Sequence, residues 1–263
     1  MRNLKNCVDY KFKFCFIISI FLFTISCGGP YKAAKLNQPT RKLQIADELF
    51  EKGEYSNAAI EFKDYLTTFA GDERCDYAQF KLAECYRMKE EYPLASVEYR
   101  VLINDYGYSE YVDDAFYLEG LCFFRQSKRV ERDQTKTFEA KNRIERFMRL
   151  FPDSPKRDEA KALLEKINTK LAEKKFMSAK LYYSLGHYDS ALLYLDKTAS
   201  MYGGTIPGVK SHYLMGRIFE KRDQKDKAVD QYKKVISFGK DIDEKGYAEK
   251  HLERLLAEGT DGD

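Results

Sequence analysis

Small residues recur along the chain at one slot of a repeating pattern. Ala58 in YSNAAIEF, Ala95 in YPLASVEY, Ala140 in FEAKNRIERF, Ala191 in YDSALLYL and Ala228 in DKAVDQYKKV stand in equivalent surroundings. Four residues after each comes a large side chain: Phe62, Tyr99, Ile144, Leu195 and Tyr232. Three further on stand Tyr65, Leu102, Phe147, Thr198 and Val235. Twelve residues before four of the alanines is a second small residue, Ala46, Ala83, Ala179 or Gly216, followed three later by Leu49, Tyr86, Tyr182 or Phe219. Steps of three and four are the helical period. Each unit therefore reads as a helix, a short turn and a second helix, with turns at Lys52-Gly53-Glu54, Lys89-Glu90-Glu91 and Leu185-Gly186-His187.

Two antiparallel helices approach closely where one offers a small side chain and the other a large one. The same slot filled five times is the mark of a tetratricopeptide-like repeat, normally ~34 residues long. The alanine spacings here are 37, 45, 51 and 37. In the third unit Gly120 and Phe123 sit in the first helix, but Ala140 comes 20 residues after Gly120, so an insertion lies at Gln126–Gln134. After Phe151-Pro152, Ser154 serves as an N-cap and Pro155 as the first helical residue. Lys156 to Leu185 then predicts one helix of about 8 turns bridging the third and fourth units. Tyr247, His251, Leu255 and Leu256 form a narrow apolar face on a capping helix, which a helical array needs at an exposed end. The predicted fold is all-α, a right-handed solenoid of five tetratricopeptide-like helix-turn-helix repeats with a C-terminal cap. Repeats one to three occupy 41–155; the bridging helix, repeats four and five and the cap occupy 156–258. Composition reads 28–40 and the tail Gly259–Asp263 as linker and disorder.

The first 26 residues are different in kind. A basic start, Met1 to Lys13, precedes an apolar run of 12 residues, Phe14 to Ile25. That is short of the ~20 a membrane span needs and within the ~7–15 of a secretory signal. The run ends in Thr24-Ile25-Ser26-Cys27, which resembles a bacterial lipobox with Thr24 in place of the usual leucine. The expectation is a signal peptide over 1–26 and a lipid-bearing, palmitate-type anchor on Cys27 that opens a linker over 27–40. Gly28 after the cysteine resembles outer-membrane sorting. Without 1–26 the chain carries 41 basic and 41 acidic residues, so charge gives no reason to expect nucleic acid as a partner.

Cys75, Cys85 and Cys122 fall in apolar helical patterns and read as small buried residues; Cys85 and Cys122, at one place in successive repeats, could also form a bridge. His187, His212 and His251 have no cysteine or carboxylate at metal spacing, and no HExxH, GxSxG or phosphate loop occurs. Most of the 20 tyrosines and 18 phenylalanines fall on repeat-core positions. No enzyme and no cofactor is expected. The residues support a lipid-anchored periplasmic scaffold that binds proteins through a helical-repeat surface.

The stretches LFEKGEYSNAAIEF, DYAQFKLAECY, DDAFYLEGLCFF, RLFPDSPKRDEA and LAEKKFMSAKLYYSLGHYDSAL, with the loop Arg132-Asp133-Gln134-Thr135, carry a resemblance. The chain resembles the BamD family, tetratricopeptide lipoprotein subunits of the outer-membrane β-barrel assembly machinery, over about Glu48 to Ile236. It departs at Met201-Tyr202-Gly203-Gly204, where the family has a Tyr-Pro ending, and at Tyr194, where arginine is frequent. The resemblance implies a place on the periplasmic face of the outer membrane. It implies that Tyr194, Lys197 and Lys210 in repeats four and five face a β-barrel insertase with periplasmic repeats. It further implies that the N-terminal repeats hold unfolded outer-membrane proteins, with other lipoproteins as further partners.

Two other readings remain. One is a periplasmic tetratricopeptide lipoprotein serving cell division or peptidoglycan coordination, which would lack the Arg-Asp-Gln-Thr loop and the bridging helix. The other is a nutrient-binding lipoprotein, which would be longer and present Trp to its ligand; this chain has no Trp.

Overall fold

The computed structural model describes residues 29–238 and 242–260, and every element of regular secondary structure among them is an α-helix. In chain order these are α1 (Gly29–Glu51), α2 (Tyr55–Thr68), α3 (Cys75–Met88), α4 (Tyr92–Asp105), α5 (Val112–Arg125) and α6 (Thr135–Leu150). They are followed by α7 (Arg157–Ser184), α8 (Tyr188–Tyr202), α9 (Ile206–Lys221), α10 (Lys225–Ser237) and α11 (Asp243–Thr260). The pairs α1/α2, α3/α4, α5/α6, the C-terminal part of α7 with α8, and α9/α10 are the five expected repeats. The signal segment and Cys27 lie outside the described residues. Two regions read as linker and tail are helical instead: α1 begins at Gly29, and α11 runs through Thr260. The chain forms two compact units, one up to Ala78 and one from Gln79, a different partition from the division at 155/156 that repeat register gives.

In the first unit Leu43 and Ala46 of α1 are buried, as are Ala58, Ala59, Phe62 and Tyr65 of α2. Lys42 Nζ ties the two helices from outside, 2.6 Å from both Glu61 Oε2 and Asp64 Oδ2. The turn between them places Gly53 at φ 77°, and the Glu54 N–H donates back to Leu49 O. This is a left-handed helix stop, which Gly adopts without a Cβ penalty. Beyond α2, Asp72 gathers the chain. It accepts from Tyr65 Oη at 2.7 Å and from the Arg74 N–H and Nε at 3.0 Å each. Arg74 Nη1 donates in turn to Thr40 Oγ1 at 2.8 Å. The Arg74 guanidinium and the Tyr65 hydroxyl hold the Asp72 carboxyl well below the usual carboxylate range.

In the second unit each helix from α4 to α11 packs on its neighbours in sequence. Ala95, Tyr99 and Leu102, Ala140, Ile144 and Phe147, Ala191, Leu195 and Thr198, and Ala228, Tyr232 and Val235 are all fully buried. The facing small residues are buried too, and at two crossings no other residue fits without movement. A Cβ on Gly120 would stand 2.6 Å from Ile144 Cδ1, and one on Gly216 would stand 2.6 Å from Tyr232 Cε1. The turn seen at Gly53 recurs at Glu90 (φ 60°), Gly186 (φ 78°) and Asp223 (φ 56°), with Glu91, His187 and Gln224 donating back to Tyr86, Tyr182 and Phe219. Only the third repeat replaces it, with the insertion.

The bridging helix α7 has 28 residues, a rod of about 42 Å at 1.5 Å per residue. Ser154 is not its N-cap: that position is Lys156, without a side-chain cap bond, and Ser154 closes the turn before it, its Oγ accepting from the Lys156 N–H at 3.2 Å and donating to Asp113 Oδ2 at 2.7 Å. Regular helix begins two residues later than Pro155. Ala160, Leu163, Ile167 and Leu171 bury one stripe in the core around α4, α5 and α6, while Ala179 joins Ala191, Leu195, Met215 and Ile218. One rigid element thus belongs to two cores. The cap differs in detail from its expected face. Ala248 and Leu255 are buried and His251 stacks on Tyr232 with ring centroids 5.3 Å apart, whereas Tyr247 and Leu256 are about half exposed. The buried positions keep helical spacing around His251, which Glu220 holds at 3.0 Å.

Two outcomes are expected. Gly216→Ala lowers stability by about 1–2 kcal/mol in denaturant titration, because overpacking against the rigid Tyr232 ring exceeds the ~1 kcal/mol gain in helix propensity. Gly120→Ala is destabilising as well, because a Cβ there would meet Ile144 Cγ1 at 2.9 Å in addition to Cδ1, and the β-branched Ile144 is fully buried. The second outcome concerns acid. Asp72 has a depressed folded pKa, so its contribution is fully present above the ordinary carboxylate range near pH 4 and is lost as pH falls through the folded value. Asp72→Asn is therefore less stable at pH 7 and shows a flatter loss of melting temperature below about pH 4; an unchanged acid limb contradicts this.

Candidate functional site

The insertion in the third repeat is a built structure. Gln134, almost completely buried, closes the loop from inside. Its Nε2 donates to Arg129 O at 2.8 Å and Arg132 O at 3.2 Å, and its Oε1 accepts from Thr137 Oγ1 at 2.7 Å. Asp133 accepts from the Thr135 N–H at 3.1 Å and from Thr135 Oγ1 at 3.0 Å, so it terminates the loop and starts α6. Those two bonds hold the Asp133 carboxyl below its ordinary value. Arg132 is exposed. The motif Arg132-Asp133-Gln134-Thr135 is therefore one exposed cation on a locally cross-braced loop. The bridging helix holds the loop from outside: Lys170 Nζ donates to Ser127 Oγ at 2.7 Å and Lys174 Nζ to Glu131 O at 2.8 Å. Desolvation by burial lowers the Lys170 pKa.

Both ends of the loop border a cleft of about 630 Å³, lined among others by Pro93, Val97, Arg100, Phe123, Gln126 and Lys136, with Asn142, Arg143 and Arg146 along α6. Helix α5 lends Phe123 to its lining, and Phe116 and Glu119 share that helix face at helical spacing. Glu119 is fully buried. Arg100 Nε donates to its Oε1 at 3.0 Å; Arg143 Nη2 donates to Oε1 at 3.0 Å, and Arg143 Nε stands 2.7 Å from Oε2. Burial pushes the Glu119 carboxyl up and the Arg143 guanidinium down, against their mutual attraction. The two rings each carry two cations. Arg100 and Lys136 lie 5.8 and 5.1 Å from the Phe123 centroid, and Arg143 and Arg146 lie 5.4 and 5.3 Å from that of Phe116. Sequence reading missed this cluster. Its only sequence signal is Lys136, Arg143 and Arg146 on one face of α6.

The C-terminal residues named from sequence do not converge in the same way. Tyr194 and Lys197 share a face of α8, but Tyr194 is stacked on Tyr182 of α7, centroids 5.3 Å apart. Lys197 is exposed. Lys210 of α9 is engaged with Glu244 of α11 at 3.0 Å, tying the cap to the fifth repeat. Cys75, Cys85 and Cys122 are buried free thiols, so the bridge between Cys85 and Cys122 does not form. Cys75 Sγ donates to Phe69 O at 3.4 Å, and burial pushes the Cys85 and Cys122 thiols up to about 12. His212 Nδ1–H donates to Gln231 Oε1 at 2.7 Å and the ring packs on Phe238, and burial lowers its pKa. Among the described residues no group of three or more His, Cys, Asp or Glu is placed to hold a metal ion, and no helix is long and apolar enough to cross a membrane.

Comparison with known proteins adds two kinds of likeness. Residues 37–235 match the family described as YfiO, outer membrane lipoprotein. Over 167 residues the chain is 23% identical to the outer membrane protein assembly factor BamD of Rickettsia prowazekii, a match covering 64% of this chain and 66% of that protein. The chain thus spans just under two thirds of that relative's length. Among solved structures, a TPR repeats protein from Bacteroides fragilis superposes with a TM-score of 0.50 at 10% identity, covering 84% of this chain and 99% of its own. That likeness is one of fold, and it matches the helix pairs described above.

Gln134→Ala removes the internal brace of the loop while leaving the helices. Opening of the loop becomes easier by about 1–3 kcal/mol, the cost of unmaking its buried hydrogen bonds. Tryptic cleavage at Lys128, Arg129 or Arg132 should accelerate roughly tenfold or more, with helical content by circular dichroism unchanged. Equal cleavage rates in wild type and variant would show that Gln134 does not hold the loop.

Proposed function

The chain belongs to the YfiO family of outer membrane lipoproteins, and on that footing we propose that it is an assembly factor for outer-membrane β-barrel proteins. It acts as a scaffold on the periplasmic face, anchored by lipid on Cys27, over a domain order of signal peptide (1–26), linker (27–40), repeats one to three, and bridging helix with repeats four, five and cap. The observation that carries this reading is the family match over residues 37–235, joined by the likeness to an assembly factor of the same class.

Physical chemistry supports a role by binding rather than by reaction. An unfolded barrel protein exposes unpaired strand edges, which recruit other strands. A surface built of helices satisfies its own backbone hydrogen bonds and offers side chains instead, so it can hold such a client without extending a sheet. Anchoring through Cys27 confines the scaffold to the membrane plane and raises its effective concentration near an insertase there. In repeats four and five, Lys197 is the exposed candidate for insertase contact. Tyr194 is packed at its edge, and Lys210 acts through Glu244 by fixing the cap. The Arg132–Thr135 loop presents Arg132 from a stiff base. Other lipoproteins are expected to dock on the same scaffold.

Affinity purification of the full-length protein from detergent-solubilised outer membranes, with mass spectrometry of what accompanies it, tests the reading. A large barrel protein with N-terminal periplasmic repeats should co-purify near stoichiometrically. Cys27→Ala should deplete the scaffold from the outer membrane, and Lys197→Glu should reduce recovery of the barrel protein about tenfold, a loss of about 1.4 kcal/mol. Recovery of division or cell-wall proteins with no such barrel would overturn the proposal in favour of another tetratricopeptide adaptor.

A further inference from the structure

The cleft between α4, α5 and α6 has more positive charge than its own structure uses. Arg100, Lys136, Arg143 and Arg146 line it, against Glu119 beneath and Glu139 at the rim. Lys136 is paired with Glu139 at 2.8 Å, and Glu119 answers Arg100 and Arg143 together. One carboxylate under two guanidiniums leaves a full positive charge, and Arg146 adds another. Residues 27–263 carry 41 charged residues of each sign, those of the cleft included, so this is a local excess. A guanidinium carries five N–H donors. Arg100 and Arg143 spend only part of theirs on Glu119, whose burial makes it the internal template of the site. Each cation also lies on an aromatic ring of α5. These stacked side chains have already lost much of their rotamer freedom, so a ligand that meets them need not order them.

The layout selects the ligand. Lys136, Arg143 and Arg146 are strung over ten residues of α6, about 15 Å of helix at 1.5 Å per residue. Charges spread along a line do not converge on one phosphate. They match an extended chain carrying several carboxylates, four to five residues of which span a similar length at ~3.3 Å each. Guanidinium forks pair with carboxylates in two-point contacts. Pro93 and the half-exposed Val97 supply an apolar wall, and Asn142 offers an amide to a peptide backbone. We infer that this cleft is a docking site for an acidic, extended peptide segment of a partner protein. The cleft lies within the N-terminal repeats to which the resemblance gives unfolded clients, but it is lined mainly by α4 and α6, the second helices of repeats two and three, and stands on its own charge geometry.

The test is fluorescence anisotropy on the full-length, detergent-solubilised protein at low salt, with a labelled nine-residue peptide carrying Asp at every second position. The same peptide with Asn in place of Asp is the reference. The Asp peptide should bind at least tenfold tighter, with affinity falling as salt rises. The double variant Lys136→Gln/Arg146→Gln, which leaves the Glu119 pairs intact, should lose that advantage. Lys233→Gln on the exposed face of α10 should keep it. Circular dichroism and the unfolding midpoint verify that both variants fold. Equal binding of the Asp and Asn peptides, or unchanged binding by the double variant, overturns the inference. Displacement of the peptide by inorganic phosphate or glycerophosphate at peptide-like concentrations also overturns it, and assigns the cleft to a phosphate or lipid headgroup instead.

Discussion

Close contact between a small side chain on one helix and a large one on the next is the constraint from which the rest of this fold follows. At Gly120 against Ile144 and at Gly216 against Tyr232 there is no room for even a methyl group. Where alanine holds the small position, as at Ala46, Ala83 and Ala179, it is equally sealed from solvent. Such contacts fix how near two helices lie and which faces meet. The large residues one and two turns along, such as Tyr99 and Leu102 or Tyr232 and Val235, then have a single place to go. The polar faces, turns and caps arrange themselves around that geometry.

The turns illustrate how strictly the geometry is imposed. Four of the five helix pairs close with a residue at positive φ and a six-residue backbone bond back across the helix end. Two of those residues are glycine, but Glu90 and Asp223 adopt the same conformation despite a Cβ cost of about 1–2 kcal/mol each. Packing on both sides of the turn outweighs local preference. The third repeat alone escapes the rule. Its insertion turns the chain more widely, rests on Lys170 and Lys174 of the bridging helix, and opens beside the cation-lined cleft. Departure from the repeat rule and the accumulation of unusual polar features thus coincide in one place.

Carboxylates drawn wholly or partly into the packing are shared between partners. Glu119 serves Arg100 and Arg143, Asp72 serves Arg74 and Tyr65, Glu84 serves Arg87 and the Tyr99 hydroxyl, and Glu220 serves His251 and Arg254. In each case one carboxylate joins elements that the apolar core alone would leave free to slide. A carboxylate with two partners in low dielectric is costly to orphan, since the remaining cations would be left unpaired. These networks therefore add specificity of register more than net stability.

The helices, the repeat slots, the bridging helix and the three simple turns were legible in the chain itself, because each depends on residues three, four or twelve apart and so on local periodicity. The signal segment and the lipid on Cys27 rest on adjacent residues alone and lie outside the described structure. The fate of Cys85 and Cys122, the buried face of the cap and the role of Lys210 were not legible in the chain. Tertiary packing decided them: Lys210 meets Glu244 and His251 meets Glu220 only because α11 folds back on α9. The cleft is the clearest case. Arg100 and Arg143 reach Glu119 from 19 and 24 residues away on two different helices. Composition averages such charges away, and only the fold brings them to one side of α5, around the buried Glu119.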